Sequence, residues 1–402
     1  MNFDMHKLLT LNISYRLSAA IVLIFFTQAS KAQTVSSDQI HLGFLYPLST
    51  HGADAPADTN IFSFHVLAGV SAAEKAFSFS GFSNIIRNDA SGFQLAGFSN
   101  HLGGKSDGFL FAGFTNTYAE AKGAQFAGFS NVSRGAVEGA QFAGFLNKAG
   151  DVSGAQFGGF SNFARNAEGS QFAGFINTSR LFNGSQFAGF SNISGNQSAG
   201  SQFAGFINKA GDIEGSQFAG FINVAKKVKG AQFAGFINVA DSSEYPVGLI
   251  NIIKKGEKGV GFSTDENLTT LLSFRSGGRF LYGIIGAGYN FTNKDEFYAF
   301  EAGFGSNFHF TNAFRIKTEL ATVMLESFTP GKYFKSSLRL LPAVKLIKQV
   351  ELYAGPIFNY VNTNTTEGKA LNKHYISTWN SRNTDNFQGI YIGYTLGVHF
   401  LF

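Results

Sequence analysis

The 402-residue chain carries 48 Gly and 48 Phe beside 6 Pro and 3 Met, and 14% of its residues are charged, a mixture that excludes an average globular domain and points to a repeated unit. It has no Cys, which excludes a disulfide framework, a thiolate metal site and an acylated lipoprotein cysteine. A net charge of +5 is small for this length and leaves no footprint for nucleic acid.

At the N-terminus, Lys7 and Arg16 precede the apolar run 17–26, "LSAAIVLIFF", and then "TQASKAQ", in which Ser30 and Ala32 satisfy a small-x-small cleavage rule. Residues 1–32 therefore read as a secretory signal peptide. The run is about half the roughly 20 residues that a spanning helix needs. Residues 33–68 form a short β segment.

From 69 to 253 one phrase recurs. "GAQFAGFSN" occupies residues 123–131, and near-copies begin at Gly139, Gly154, Gly169, Gly184, Gly200, Gly215 and Gly230. The conserved-in-place Asn stands at 84, 100, 116, 131, 147, 162, 177, 192, 208, 223, 238 and 251, a spacing of 15 or 16 with a shortened last unit. Units this short cannot bury a core alone, so they must stack. Their Gly, aromatic and β-branched content disfavours helix.

Two β architectures fit a period of 15. In a β-solenoid each unit is one coil, with residue i above residue i−15; in a single large transmembrane barrel each unit is one antiparallel strand. Parallel stacking explains the constancy, because Gln lies over Gln, Asn over Asn and Phe over Phe. The solenoid is thus favoured, with a structural ladder of Gln125, Gln141, Gln156, Gln171, Gln186, Gln202, Gln217 and Gln232 and a second of Asn131, Asn147, Asn162, Asn177, Asn192, Asn208, Asn223 and Asn238. Val137, Val152, Ile213 and Val228 fall mid-way along the connecting stretch, where a third side of a coil needs apolar residues and an exposed turn does not. Eleven to twelve coils are expected.

Beyond 254 the pattern changes to long alternating strands. Tyr298, Phe300, Phe304 and Phe308 share one parity and Glu301 the other; candidates also lie at 279–291, 335–347 and 350–361. The last strand has Ile390, Ile392, Tyr394, Leu396, Val398, Phe400 and Phe402 on one face and small or polar residues on the other. That is the pattern of a strand between lipid and a barrel lumen, and the closing strand resembles those of outer-membrane β-barrel proteins, which commonly end in Phe. Roughly eight strands make a barrel whose interior is filled by side chains. Glu301, Arg315, Lys317, Glu319, Arg339, Lys345 and Glu351 point inward and are expected to pair as a plug. The polar stretch 362–386, which carries the sole Trp, Trp379, is the candidate contact loop.

Chemistry is sparse. The eight His show no i, i+4 pair, no phosphate-binding glycine motif opens a helix, and no Ser/His/Asp set stands out, so no catalytic, cofactor or metal residue is assigned.

"GAQFAGFINVA", the linkers "GDVSG" and "GDIEG", the leading "GFLYPLSTHG" and the trailing "YPVGLINI" resemble the surface-repeat proteins of Bacteroidetes and leptospires over about residues 69–253. That resemblance implies an exported or outer-membrane protein. The Gln and Asn spacing is also similar to the repeats of curli subunits, which implies ladder physics and no more. The sequence as a whole reads as all-β, an array followed by an antiparallel outer-membrane-type barrel. It implies a non-enzymatic structural or adhesive surface protein whose partners are outer-membrane lipid and an unidentified surface ligand or envelope protein; the alternative is a pore in which the repeats are barrel strands.

Overall fold

The computed structural model describes residues 39–195, 197–293, 297–328, 331–381 and 386–402, so the signal-peptide reading of 1–32 lies outside the described residues. The chain forms two compact units, Met1–Ser179 and Arg180–Phe402. Its architecture is all-β: parallel β-solenoid turns, about 13 in all, and a closed antiparallel barrel of eight strands at the C-terminus. The single-large-barrel alternative is overturned by strand direction, since the repeats pair in parallel and not antiparallel.

In the first unit, Glu120–Ala127 lies parallel to Val137–Ala143, with Gln125 on Gln141 and Phe126 on Phe142, and Val137–Ala143 lies in the same register on Asp151–Gly158. Along Glu120–Ala127 the side chains alternate, with Ala121, Gln125 and Ala127 buried inside and Lys122 and Phe126 outside. Two glycines make the coil close. Gly123 bends the strand at φ 104°, and a Cβ there would stand 2.2 Å from the Gly108 carbonyl oxygen. Gly128 turns the Ala-Gly corner, where a Cβ would stand 2.0 Å from the Gly113 oxygen. The third side supplies the apolar core: Val137 and Val152 are buried with Ile86, Leu102, Leu110 and Tyr118. Parallel pairing also includes Gln39–Leu45 and Thr59–Ser71, ahead of residue 69, which raises the turns above the eleven to twelve expected.

The second unit opens with coils of the same kind, Gln202 on Gln217 on Gln232 and Asn208 on Asn223 on Asn238, with Ile213 and Val228 buried as the third side. After residues 254–256 the barrel begins. Its strands are β1 (Glu257–Asp265), β2 (Thr269–Gly277), β3 (Leu281–Asn290), β4 (Tyr298–His309), β5 (Phe314–Glu326), β6 (Tyr333–Ile347), β7 (Val350–Thr363) and β8 (Phe387–Leu401). Each is antiparallel to the next, and β8 closes on β1 from Gly259 opposite Leu401 to Asp265 opposite Thr395.

Alternation sorts the barrel residues. Phe262, Leu272, Phe300, Phe304, Leu320 and Leu338 face out and are 41–62% exposed, while the intervening residues are buried within. The closing strand follows the expected parity: Ile392, Tyr394, Leu396, Phe400 and Phe402 are exposed, Ile390 and Val398 are half-buried, and Tyr391 and His399 lie inside. The links at one barrel end are short, residues 278–280, 310–313 and 348–349; those at the other include 291–297, 327–332 and 364–386. The chain passes from coil to barrel at the short-link end. There a Cβ on Gly283 would meet the Gly248 oxygen at 2.0 Å, so coil and barrel backbones touch.

Candidate functional site

The amide columns occupy the coil interior. Asn100 donates from Nδ2 to Asn116 Oδ1 at 2.8 Å and to the Phe111 carbonyl at 2.8 Å; Asn131 bonds Asn147 at 3.0 Å, Asn147 bonds Asn162 and Asn162 bonds Asn177 at 2.9 Å. In the second unit the bonds run Asn192 to Asn208, Asn208 to Asn223 and Asn223 to Asn238 at 3.0 Å. Glutamines do the same: Gln156 donates to Gln141 and Gln171 to Gln156 at 2.7 Å, Gln202 to Gln186, Gln217 to Gln202 and Gln232 to Gln217 at 2.9 Å. Each such bond contributes about 1 kcal/mol net and satisfies a group that would cost more if left unpaired.

Gln125 keeps its place in the column, in register on Gln141, but makes no amide bond there. Gln125 is fully buried, yet neither its Nε2 nor its Oε1 has a partner. The next position in its column is Leu110, which accepts nothing, and Gln141 gives its amide proton to the Tyr118 hydroxyl at 2.6 Å. At the other limit, Gln232 Oε1 is unpaired because its column continues to Pro246.

The phenylalanines stack, as the repeat register implies, but on the outside. Phe98, Phe114, Phe129, Phe145 and Phe160 are 39–40% exposed, with successive rings 4.8–4.9 Å apart. A second row, including Phe126, Phe142 and Phe157, flanks the same Ala-Gly corner. Offset ring stacking at this spacing is favourable in itself.

At the start of the array three imidazoles gather where later coils carry amide and small side chains. His41 and His51 are stacked with ring centroids 4.4 Å apart, and His41 Nε2 stands 3.4 Å from His65 Nε2. Glu74, buried nearby, accepts from Asn60 Nδ2 at 3.1 Å and Ser63 Oγ at 2.8 Å. Burial, then the neighbouring imidazoles, lowers His41 to about 3 and His65 to about 4; burial raises Glu74 to about 7 against the bonds from Asn60, Ser63 and Ser71. The imidazoles of His41 and His65 are neutral near pH 7. Among the described residues no three His, Asp or Glu side chains, these imidazoles included, are arranged so that they could hold a metal ion. Sequence reading missed this cluster because its members stand 10 and 14 residues apart; the available signal was three of the eight His between 41 and 65.

Inside the barrel the expected inward charges do pair. Arg275 clasps Glu319 from Nε at 2.9 Å and Nη2 at 3.2 Å, Arg339 bridges Glu301 at 2.6 Å and Glu319 at 3.3 Å, and the Tyr282 hydroxyl donates to Glu319 at 2.9 Å. Nearer the short-link end, Arg315 holds Glu351 from Nε at 2.7 Å and Glu257 from Nη1 at 2.6 Å, Lys317 reaches Glu351 at 2.9 Å, and half-buried Lys345 reaches Glu257 at 3.2 Å. Lys335 pairs with Asp265. Arg275, Glu257, Asp265 and Lys335 were not anticipated, although each sits on the inward parity of its strand.

The stretch 362–386 is more structured than a plain loop. It carries a short helix, Thr366–Ala370, capped by Thr365 accepting from Gly368 N, and a strand, Ser377–Asn380, paired with β8. Trp379 is 43% exposed, lies over Tyr360 and donates to Gln388 Oε1 at 2.5 Å.

No family model, no curated protein and no solved structure matches this chain.

Proposed function

We propose that this is an exported, non-catalytic repeat protein held in the outer membrane by its C-terminal barrel, with the coils serving a structural or adhesive role. The observation that carries the reading is the closed eight-stranded barrel with an apolar outer face, Phe262, Phe300 and Leu396 among it, around an interior filled by ion pairs. Such a wall suits lipid, and such a filling suits an anchor rather than a channel. The basic and apolar residues of 1–32 and the small-x-small site at 30–32 support export. Glu301, Glu319 and Glu351 are all held by Arg or Lys, which supports a structural use of these carboxylates.

Membrane fractionation and planar-bilayer recording of the mature chain test the reading. It requires the protein to stay with the outer membrane through alkaline extraction, to migrate differently on SDS gels before and after boiling, and to give no stable conductance. A protein released by alkali, or one with large steady conductance, overturns it.

A further inference from the structure

The first five coils carry an outer surface that the later coils lack. One outward column runs Ile40, Phe62, Phe77, Phe93, Phe109 in register, and beside it runs Leu42, Phe64, Phe79, Leu95, Phe111. None of the ten is buried: Ile40 is 61% exposed, Phe93 48% and Phe62 39%. From the next coil the first column shrinks to Ala124, Ala140 and Ala155, while the second continues as Phe126, Phe142 and Phe157. The coils from Ala124 onward close and stack without the extra aromatics, so coil formation does not require them.

We propose that this face is the self-association surface of the protein, and that a second copy of the chain covers it through the same face. Three observations select that occupant. At roughly 40% of about 200 Å² per large side chain, the ten residues present about 800 Å² of apolar area, which matches the roughly 800 Å² that each partner contributes to a standard stable interface. All ten outward positions are uncharged, so a like copy meets it without an unpaired charge. The face is flat and ruled by rings about 5 Å apart, as at Phe62–Phe77, 5.1 Å, and Phe93–Phe109, 4.9 Å. A second ruled face of equal pitch can interdigitate with it as paired sheets do.

In a twofold pairing the middle of the five coils meets itself, which puts Phe77 beside its symmetry mate. The chain has no Cys, so a single introduced thiol reports the contact. Full-length chains carrying Phe77→Cys, or Ile85→Cys on another side of the same coil as control, are oxidised in intact cells before any detergent is added. The expected result is a disulfide homodimer from Phe77→Cys and none from Ile85→Cys. Adding Phe62→Thr and Phe93→Thr, outward changes that keep strand propensity, should reduce the homodimer at least about tenfold, as loss of central aromatic contacts does. Its circular dichroism should stay that of the parent. Absence of the Phe77→Cys homodimer overturns the proposal, as does an adduct with a different protein. A dye on that thiol that reports lipid contact, with no homodimer, overturns it in favour of a membrane surface.

Discussion

Asn251 donates its side-chain amide to the Ser276 carbonyl oxygen at 3.0 Å, while its backbone N–H donates to Ser276 Oγ at 2.9 Å. The last rung of the asparagine column, which receives Asn238 Nδ2 at 2.8 Å, thus ends on strand β2 of the barrel. The terminal coil is capped by the barrel wall itself, which satisfies amide groups that an unstacked coil would leave open.

Asn251→Ala removes the side-chain bonds of that junction and leaves the backbone one. It should release the final coil without opening the barrel, seen as faster hydrogen exchange over 237–253 and unchanged exchange in β5 to β7. Equal acceleration in both regions would show that the bond holds the barrel as well.

Interior ladder positions differ sharply in worth. Asn147→Ala takes away donors to Phe157 O and Asn162 Oδ1 and the acceptor for Asn131. It should destabilise the array by about 2–4 kcal/mol in urea unfolding. Gln125→Leu, which removes an unpartnered buried amide beside Leu110, should be neutral or stabilising by about 1 kcal/mol.

The start of the array should have a pH optimum. Glu74, raised from 4.5 to about 7, binds its proton more tightly when folded, so its contribution is greatest in acid and falls as pH rises from 4.5 through 7. His41 and His65, lowered from 6.5 to about 3 and about 4, bind theirs less tightly, so their contribution is full above 6.5 and falls as pH drops below it. Two losses on the acid side outweigh one gain, which places greatest stability near pH 6.5. Hydrogen exchange of residues 60–80 across pH 4–8 measures this, and Glu74→Gln should abolish the decline on the alkaline side.

In the barrel, Glu319→Ala leaves Arg275 without its clasp and Arg339 with Glu301 alone. Removing one partner of a buried pair costs about 3–5 kcal/mol. The temperature at which the band shifts on SDS gels should fall markedly, whereas Lys345→Ala at the half-buried rim should move it little.

The short links, the start of β1 and the end of β8 all lie at the barrel end from which the coils depart. In outer-membrane barrels short turns face the periplasm and long loops face outward. Protease added to intact cells should therefore cut within 364–386 and spare residues 184–253 until the outer membrane is permeabilised. Cleavage of those coils in intact cells would reverse the orientation.

Much of this architecture follows from local periodicity. A spacing of 15 or 16 between Asn residues puts Asn131 on Asn147 in any parallel stack, and a period of 2 sends Leu396 outward and His399 inward in any barrel strand. Both depend only on neighbours in sequence or one repeat away. Other features needed the folded chain. That Tyr118 takes the proton meant for Gln125, that His41, His51 and His65 share one interior, and that Arg275 meets Glu319 across 44 residues are each set by which side chains different coils or strands bring together. The outward direction of the phenylalanine rows was equally hidden, because a repeat at constant register stacks its rings whichever way they point. Only the bends at Gly123 and Gly128 decide that the amides fill the coil and the rings line its surface.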